Sequence, residues 1–229
     1  MSHLLRARHC VKSQSYGAIF DMDGVLVDSS EAHYKAWHTL GEEVGVPFER
    51  KLFDETFGMT NFAIIPNWLG PRAAKVDIAA MSVHKEDLYR QVARSVLKPL
   101  DGVPELLDSL AAAGFKMAVG SSGPRPNVEM VLEILGARER FAAMATLEEV
   151  KHGKPDPEVF LVAARKLGIA PSRCVVIEDA PQGVEAGLAA GAKVVAVTST
   201  RKADALRGAH LIVHSLRDVD AQKLKGLID

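Results

Sequence analysis

Four short segments carry nearly all the side chains that could do chemistry: Asp21-Met22-Asp23-Gly24, Gly120-Ser121-Ser122-Gly123, Gly153-Lys154-Pro155-Asp156 and Glu178-Asp179. Asp21, Asp23, Glu178 and Asp179 offer hard oxygen ligands of the kind that hold Mg²⁺. Lys154, the Ser121 and Ser122 hydroxyls and the turn amides suit the oxygens of a phosphate. Asp21 and Asp23 stand two positions apart on a chain leaving a strand and point to the same side. There one carboxylate can attack phosphorus while the other handles protons, and an aspartyl-phosphate would split a hard hydrolysis into two easier steps. So many carboxylates at one point repel one another unless a cation joins them. Asp-x-Asp-Gly alone is equally the mark of a turn after a strand. The three further segments, with complementary chemistry and in order, set it apart.

The segments share a position, at the ends of apolar runs. Tyr16 to Phe20 stops at Asp21, Phe115 to Val119 at Gly120-Ser121, Cys174 to Ile177 at Glu178-Asp179, and Lys193 to Val197 at Thr198; Leu211 to Val213 adds a further strand. Such runs read as buried parallel strands. Helix punctuation lies between them: Pro104 opens and Gly114 closes one helix, Gly136 closes Asn127 to Leu135, Asp156-Pro157 opens a third ending near Gly168, Pro181 to Ala190 ends at Gly191, and Val219 to Leu224 is a short last helix. Strands alternating with helices predict a doubly wound α/β sheet, whose ligands sit beyond the carboxyl ends of the strands. Residues 30–100 have helical spacing instead, with Trp37, Leu40 and Val44 on one face and Val76, Ala79, Ala80, Val83, Leu88, Val92 and Val96 in a second helical rhythm.

The 229 residues fit about one and a half domains, and a helical insertion accounts for the extra half. With 28 Lys+Arg against 29 Asp+Glu the net charge is −1, which leaves no broad electrostatic reason to bind nucleic acid or an anionic membrane. No window is long and apolar enough to span a bilayer, and residues 1–14 read as a flexible tail without a signal peptide's apolar stretch. Two cysteines, Cys10 and Cys174, form neither a metal spacing nor a disulfide framework, which favours a reducing, cytoplasmic setting. A monomer is the default reading. Gly153-Lys154 is followed by proline and lacks the upstream glycine of a Walker A loop, and Gly120 to Gly123 lacks the spacing of a serine hydrolase elbow.

Phe20-Asp21-Met22-Asp23-Gly24-Val25-Leu26-Val27-Asp28-Ser29, Val119-Gly120-Ser121-Ser122, Gly153-Lys154-Pro155-Asp156-Pro157 and Val176-Ile177-Glu178-Asp179-Ala180-Pro181-Gln182-Gly183-Val184 together resemble the four ordered motifs of the haloacid dehalogenase superfamily. The resemblance spans roughly residues 16–200 and is greatest to the branch holding β-phosphoglucomutase and small sugar-phosphate phosphatases. It implies a Rossmann-like core, residues 15–29 and 101–229, with a helical cap over residues 30–100. It implies Asp21 as nucleophile and metal ligand and Asp23 as general acid and base. Ser121 and Lys154 would bind the phosphoryl group with the amides of Met22, Asp23 and Ser122. Mg²⁺ would be held by Asp21, Glu178, Asp179 and the backbone carbonyl of Asp23. Dehalogenating relatives lack an aspartate at the position of Asp23, which favours phosphoryl transfer.

His33 and Trp37, one helical turn apart, are candidates to touch substrate near the cleft between cap and core, or to position Asp23. The alternative is that Trp37 packs and His33 is an ordinary surface histidine. Asn61 stands where the resembled mutases carry an arginine for a second phosphate, and an amide cannot replace a bidentate guanidinium there. Arg125 could still approach an anionic group. The expected activity is therefore Mg²⁺-dependent hydrolysis of a small phosphorylated metabolite, a sugar phosphate being one candidate. A phosphomutase is the alternative, and a non-catalytic binding module on the same fold a third.

Overall fold

The structure, a computed structural model, describes residues 15–229; the segment 1–14, including Cys10, lies outside the described residues. The strands are β1 (Gly17–Phe20), β2 (Lys116–Gly120), β3 (Phe141–Ala145), β4 (Cys174–Glu178), β5 (Lys193–Val197) and β6 (Leu211–Val213). All pair in parallel, in the order β3-β2-β1-β4-β5-β6. Five of these are the predicted runs. The sixth, β3, is a correction to the sequence reading: Phe-Ala-Ala-Met-Ala has no β-branched residue, and alanine's preference is helical, so only its place beside β2 makes it a strand.

Side chains alternate between the two faces of this sheet. Ala18 and Phe20 pack with Leu106, Val128 and Leu224, carried by the helices α5 (Val103–Ala112), α6 (Arg125–Ile134) and α9 (Ala221–Ile228). Ile19 faces the other way, onto Phe160 and Val184 of α7 (Glu158–Leu167) and α8 (Pro181–Ala189). Four of these helices fall where the proline and glycine punctuation puts them, and α9 overlaps the short last helix expected at Val219 to Leu224.

Between β1 and β2 the chain makes a helical insertion of α1 (Ser30–Val44), α2 (Arg50–Thr56), α3 (Asn61–Leu69) and α4 (Ile78–Val96). The apolar core is continuous from the sheet through Met22, Val25 and Leu26 into Trp37, Phe48 and Tyr89 of the insertion. The two predicted apolar faces are only partly right. Trp37, Leu40 and Leu88 are buried, but Val44, Val76, Val83 and Val96 are exposed. For Val83 and Val96 the reason lies in α4, whose inward face is Lys85, Glu86, Leu88, Tyr89 and Ala93, so two charged side chains occupy positions an apolar rhythm would reserve for packing.

Register places the chemistry. Phe20 lies level with Val119 on one side and Ile177 on the other, so Asp21 comes level with Gly120 and Glu178. The Asp21 amide extends the ladder by donating to the Ile177 carbonyl at 2.9 Å, and that of Ser121 to Ala145 at 3.0 Å. No helix among the described residues is long and apolar enough to cross a membrane.

Candidate active site

Past the end of β1 the chain turns sharply, with the amides of Leu26 and Val27 returning to the Met22 carbonyl and Gly24 donating to Val27. Gly24 adopts φ +81°, and a Cβ there would lie 2.2 Å from an Asp179 carboxylate oxygen, so only glycine lets the first turn close against the fourth strand's end. The turn presents Asp21 and Asp23 to two different neighbourhoods.

Asp21 joins Glu178 and Asp179. All three are buried, at 8 %, 1 % and 5 % exposure, and one carboxylate oxygen from each lies within 4.8 Å of the others. Lys154 enters from the segment before α7 and donates to Asp21 at 2.6 Å and to Glu178 at 2.7 Å. Burial would lower the lysine's proton affinity, but the charges of Asp21 and Glu178 outweigh it and hold the ammonium. The second Glu178 oxygen accepts from the amides of Asp179 and Ala180 at 2.7 and 2.9 Å, and Thr200 donates to Asp179. One lysine does not neutralise three carboxylates. Burial, then the charges of Glu178 and Asp23, push Asp21 up to about 7 against the pull of Lys154. Burial with Glu178 and Asp21 pushes Asp179 up to about 8. A compact, charge-crowded set of hard oxygen donors fits a divalent cation such as Mg²⁺. The Asp23 side chain is not part of it.

Asp23 instead accepts from Ser29 and stands 3.7 Å from His33 Nε2. Lys85 Nζ lies 2.8 Å from His33 Nδ1, and an ammonium can only donate, so Nδ1 accepts and the Nε2 proton faces Asp23. The ring is clamped flat on Tyr89, centroids 3.8 Å apart. The ring that accepts at Nδ1 is a neutral imidazole, and burial, with the Lys85 charge, pushes its proton affinity down. Burial would raise Asp23, but hydrogen bonding from His33 and Ser29 holds it below the ordinary carboxylate range. Lys85 also bonds Glu86 at 2.8 Å; Glu86 accepts in addition from Asn61 at 2.7 Å and from Asn127 of α6 at 2.6 Å, and Asn127 accepts from Arg90 of α4 at 2.7 Å.

Of the residues singled out from sequence, Asp21, Ser121, Lys154, Glu178 and Asp179 meet at the strand ends. Met22 is buried beside Asp21, Ser121 is buried and its hydroxyl accepts from the Gly123 amide at 3.0 Å, and Ser122 is exposed. His33 belongs with Asp23. Trp37 is a correction: it is 2 % exposed, stacked on Phe48 at 4.9 Å and edged by Trp68, so its surface is spent on packing and none faces the cleft. Arg125 has its guanidinium paired with Glu149 at 2.9 Å and its amide with Glu148, and its side chain stays partly exposed. Asn61 is engaged with Glu86 and Ser82. Lys85, Glu86, Asn127 and Thr200 were not read from sequence. For Lys85 and Glu86 a signal existed, since they fall on the same helical stripe as Tyr89 and Ala93, where charge is out of place.

The family model described as haloacid dehalogenase-like hydrolase matches residues 18–197. Hexitol phosphatase A of Escherichia coli is 35 % identical over 209 residues, covering 90 % of this chain and 94 % of that protein. β-Phosphoglucomutase of Bacillus subtilis is 31 % identical over 213 residues, 90 % of this chain and 92 % of that one. Among solved structures, a β-phosphoglucomutase from Clostridium difficile superposes with a TM-score of 0.83 at 26 % identity, over 94 % of this chain and 97 % of that chain.

Proposed function

Because the chain belongs to the haloacid dehalogenase-like hydrolase family and is a phosphoric monoester hydrolase, we propose that it removes phosphate from a small hydroxylated metabolite such as a sugar or sugar alcohol phosphate, through an aspartyl-phosphate at Asp21 and with Mg²⁺. The observation that carries this reading is the separation of the two first-motif carboxylates: Asp21 lies with Lys154 and the buried acids, Asp23 with Ser29 and His33.

In the first step an Asp21 oxygen bonds to phosphorus as the ester P–O bond breaks, and Asp23 gives its proton to the departing alkoxide. In the second, Asp23 takes a proton from water, whose oxygen attacks the phosphorus and returns Asp21 as a free carboxylate. Lys154 and the Ser121 hydroxyl hold the non-bridging oxygens. His33 and Ser29 hold the Asp23 proton affinity down, and the charge of an arriving phosphoryl group raises it toward the acid form the first step needs. His33, fixed by Lys85 and Tyr89, orients the Asp23 carboxylate. The residues that would hold the cation are Asp21, Glu178, Asp179 and the Asp23 backbone carbonyl, and when bound it supplies positive charge between the nucleophile and the phosphate.

Residues 15–29 and 101–229 act in this reading as the chemical domain, and residues 30–100 as a cap that selects the substrate and excludes bulk water. Asp21→Asn is expected to reduce phosphate release from a panel of sugar and polyol monophosphates by at least about 10³-fold, with circular dichroism and thermal unfolding retained. Undiminished, EDTA-sensitive release by that variant would remove Asp21 as the nucleophile.

A further inference from the structure

If the phosphoryl group is held at Asp21 and its ester oxygen at Asp23, the rest of the substrate must continue past Asp23 toward the insertion. What waits there is defined by hydrogen bonds. His33 is neutral, Lys85 is spent between His33 and Glu86, and Arg90 is bonded to Asp87 and to Asn127. Lys85 and Glu86 offset each other, so the group holds no cation with charge to spare. Two amides, Asn61 and Asn127, point their NH₂ groups at the Glu86 carboxylate at 2.7 and 2.6 Å. A phosphate needs a guanidinium or ammonium with charge to spare, and in a partly dehydrated cleft a like charge is strongly refused.

We propose that Glu86 makes the site reject a second anionic group, so that the substrate is a monophosphate whose far end is uncharged and hydroxyl-bearing. This rests on the phosphatase reading for where the phosphate sits. Glu86 Oε1 already accepts from Lys85 and Asn61, whereas among the described residues Oε2 accepts only from Asn127 and keeps a lone pair for a substrate hydroxyl. The charge pattern has a counterintuitive corollary for Asn61. Placing an arginine there does not create a grip for a second phosphate, because the new guanidinium falls beside Glu86 and pairs with it. Only removal of the Glu86 charge as well frees it.

The test measures binding by calorimetry in the Asp21→Asn protein, so that it does not depend on turnover, with fructose 1-phosphate and fructose 1,6-bisphosphate as probes. The expected result is a preference of at least tenfold for the monophosphate. Adding Asn61→Arg alone should leave that preference within threefold, whereas Asn61→Arg with Glu86→Gln should erase it by at least tenfold, more than the product of the single changes. Equal binding of the two probes, including no binding of either, overturns the proposal, as does a full gain from Asn61→Arg alone. Should the Glu86 variants fail to fold, glucose 6-phosphate and 6-phosphogluconate, which differ by a far-end carboxylate, give the same comparison without them, with tenfold weaker binding of the latter expected and equal binding decisive against. Absence of phosphate release by the unmodified protein would defeat the phosphatase reading separately, since the binding ratio is measured regardless.

Discussion

Burial by itself would raise the proton affinity of Glu86, but the charge of Lys85, with hydrogen bonds from Lys85 and Asn61, brings it down to about 2 from the ordinary 4.5. A carboxyl depressed in the folded state contributes stability above its unfolded value and loses it as pH falls through the folded one. Between pH 4.5 and about 2 this single group therefore accounts for about 3 kcal/mol of lost stability. Urea unfolding across that range should show a shallower acid limb in Glu86→Gln than in the parent protein; parallel limbs would mean the carboxylate is not held by its neighbours. The same residue shows what sequence can and cannot reveal about a site. Asp21, Asp23, Ser121, Glu178 and Asp179 were legible because each ends or follows a strand, so local pattern fixes position, and Lys154 because of the Gly153-Lys154-Pro155-Asp156 segment that precedes α7. Glu86 and Asn127 were not, because their meeting depends on how α4 of the insertion lies against α6, information spread over two distant segments. Trp37 shows the complementary limit: residue type suggested a ligand contact, while Phe48, met through the folding of the insertion, claims its surface.

At the scale of elements, hydrophobic rhythm and punctuation recovered five strands and the helices around them, and failed at β3, where alanines carry no strand preference and the neighbouring strand decides. Helix α8 shows an element shaped by the site rather than by its own propensity. Gly183 lies inside it, where alanine would favour the helix. Yet a Cβ at that position would lie 1.7 Å from the Glu178 oxygen that Lys154 binds. Gly183→Ala should therefore displace that carboxylate and reduce kcat/KM by about tenfold or more, a barrier increase of about 1.4 kcal/mol or more, while far-ultraviolet circular dichroism stays unchanged. Activity equal to that of the parent would show that the Glu178 carboxylate tolerates displacement.

For the whole molecule, a net charge of −1 conceals a strong local asymmetry, three buried carboxylates against one lysine at the sheet's end. A cation bound there acts on the entire fold by mass action, with about 2.7 kcal/mol expected at a hundred times Kd. For a chain of this size that is a rise of roughly 5–10 °C in Tm. Calorimetry with Mg²⁺ and then excess EDTA should show the rise and its reversal, and Asp179→Asn should lose most of it; no shift in the parent protein would refute cation binding at the strand ends. One further feature concerns how the chain leaves and re-enters the sheet. The Leu100 amide donates to Leu26 at 3.0 Å and Val27 pairs antiparallel with Pro99, so the strands entering and leaving the insertion are stitched side by side. The two ends of the intervening helices are thereby pinned to each other beside the turn that carries Asp21 and Asp23, so the span of chain between them does not set the spacing of the strand ends.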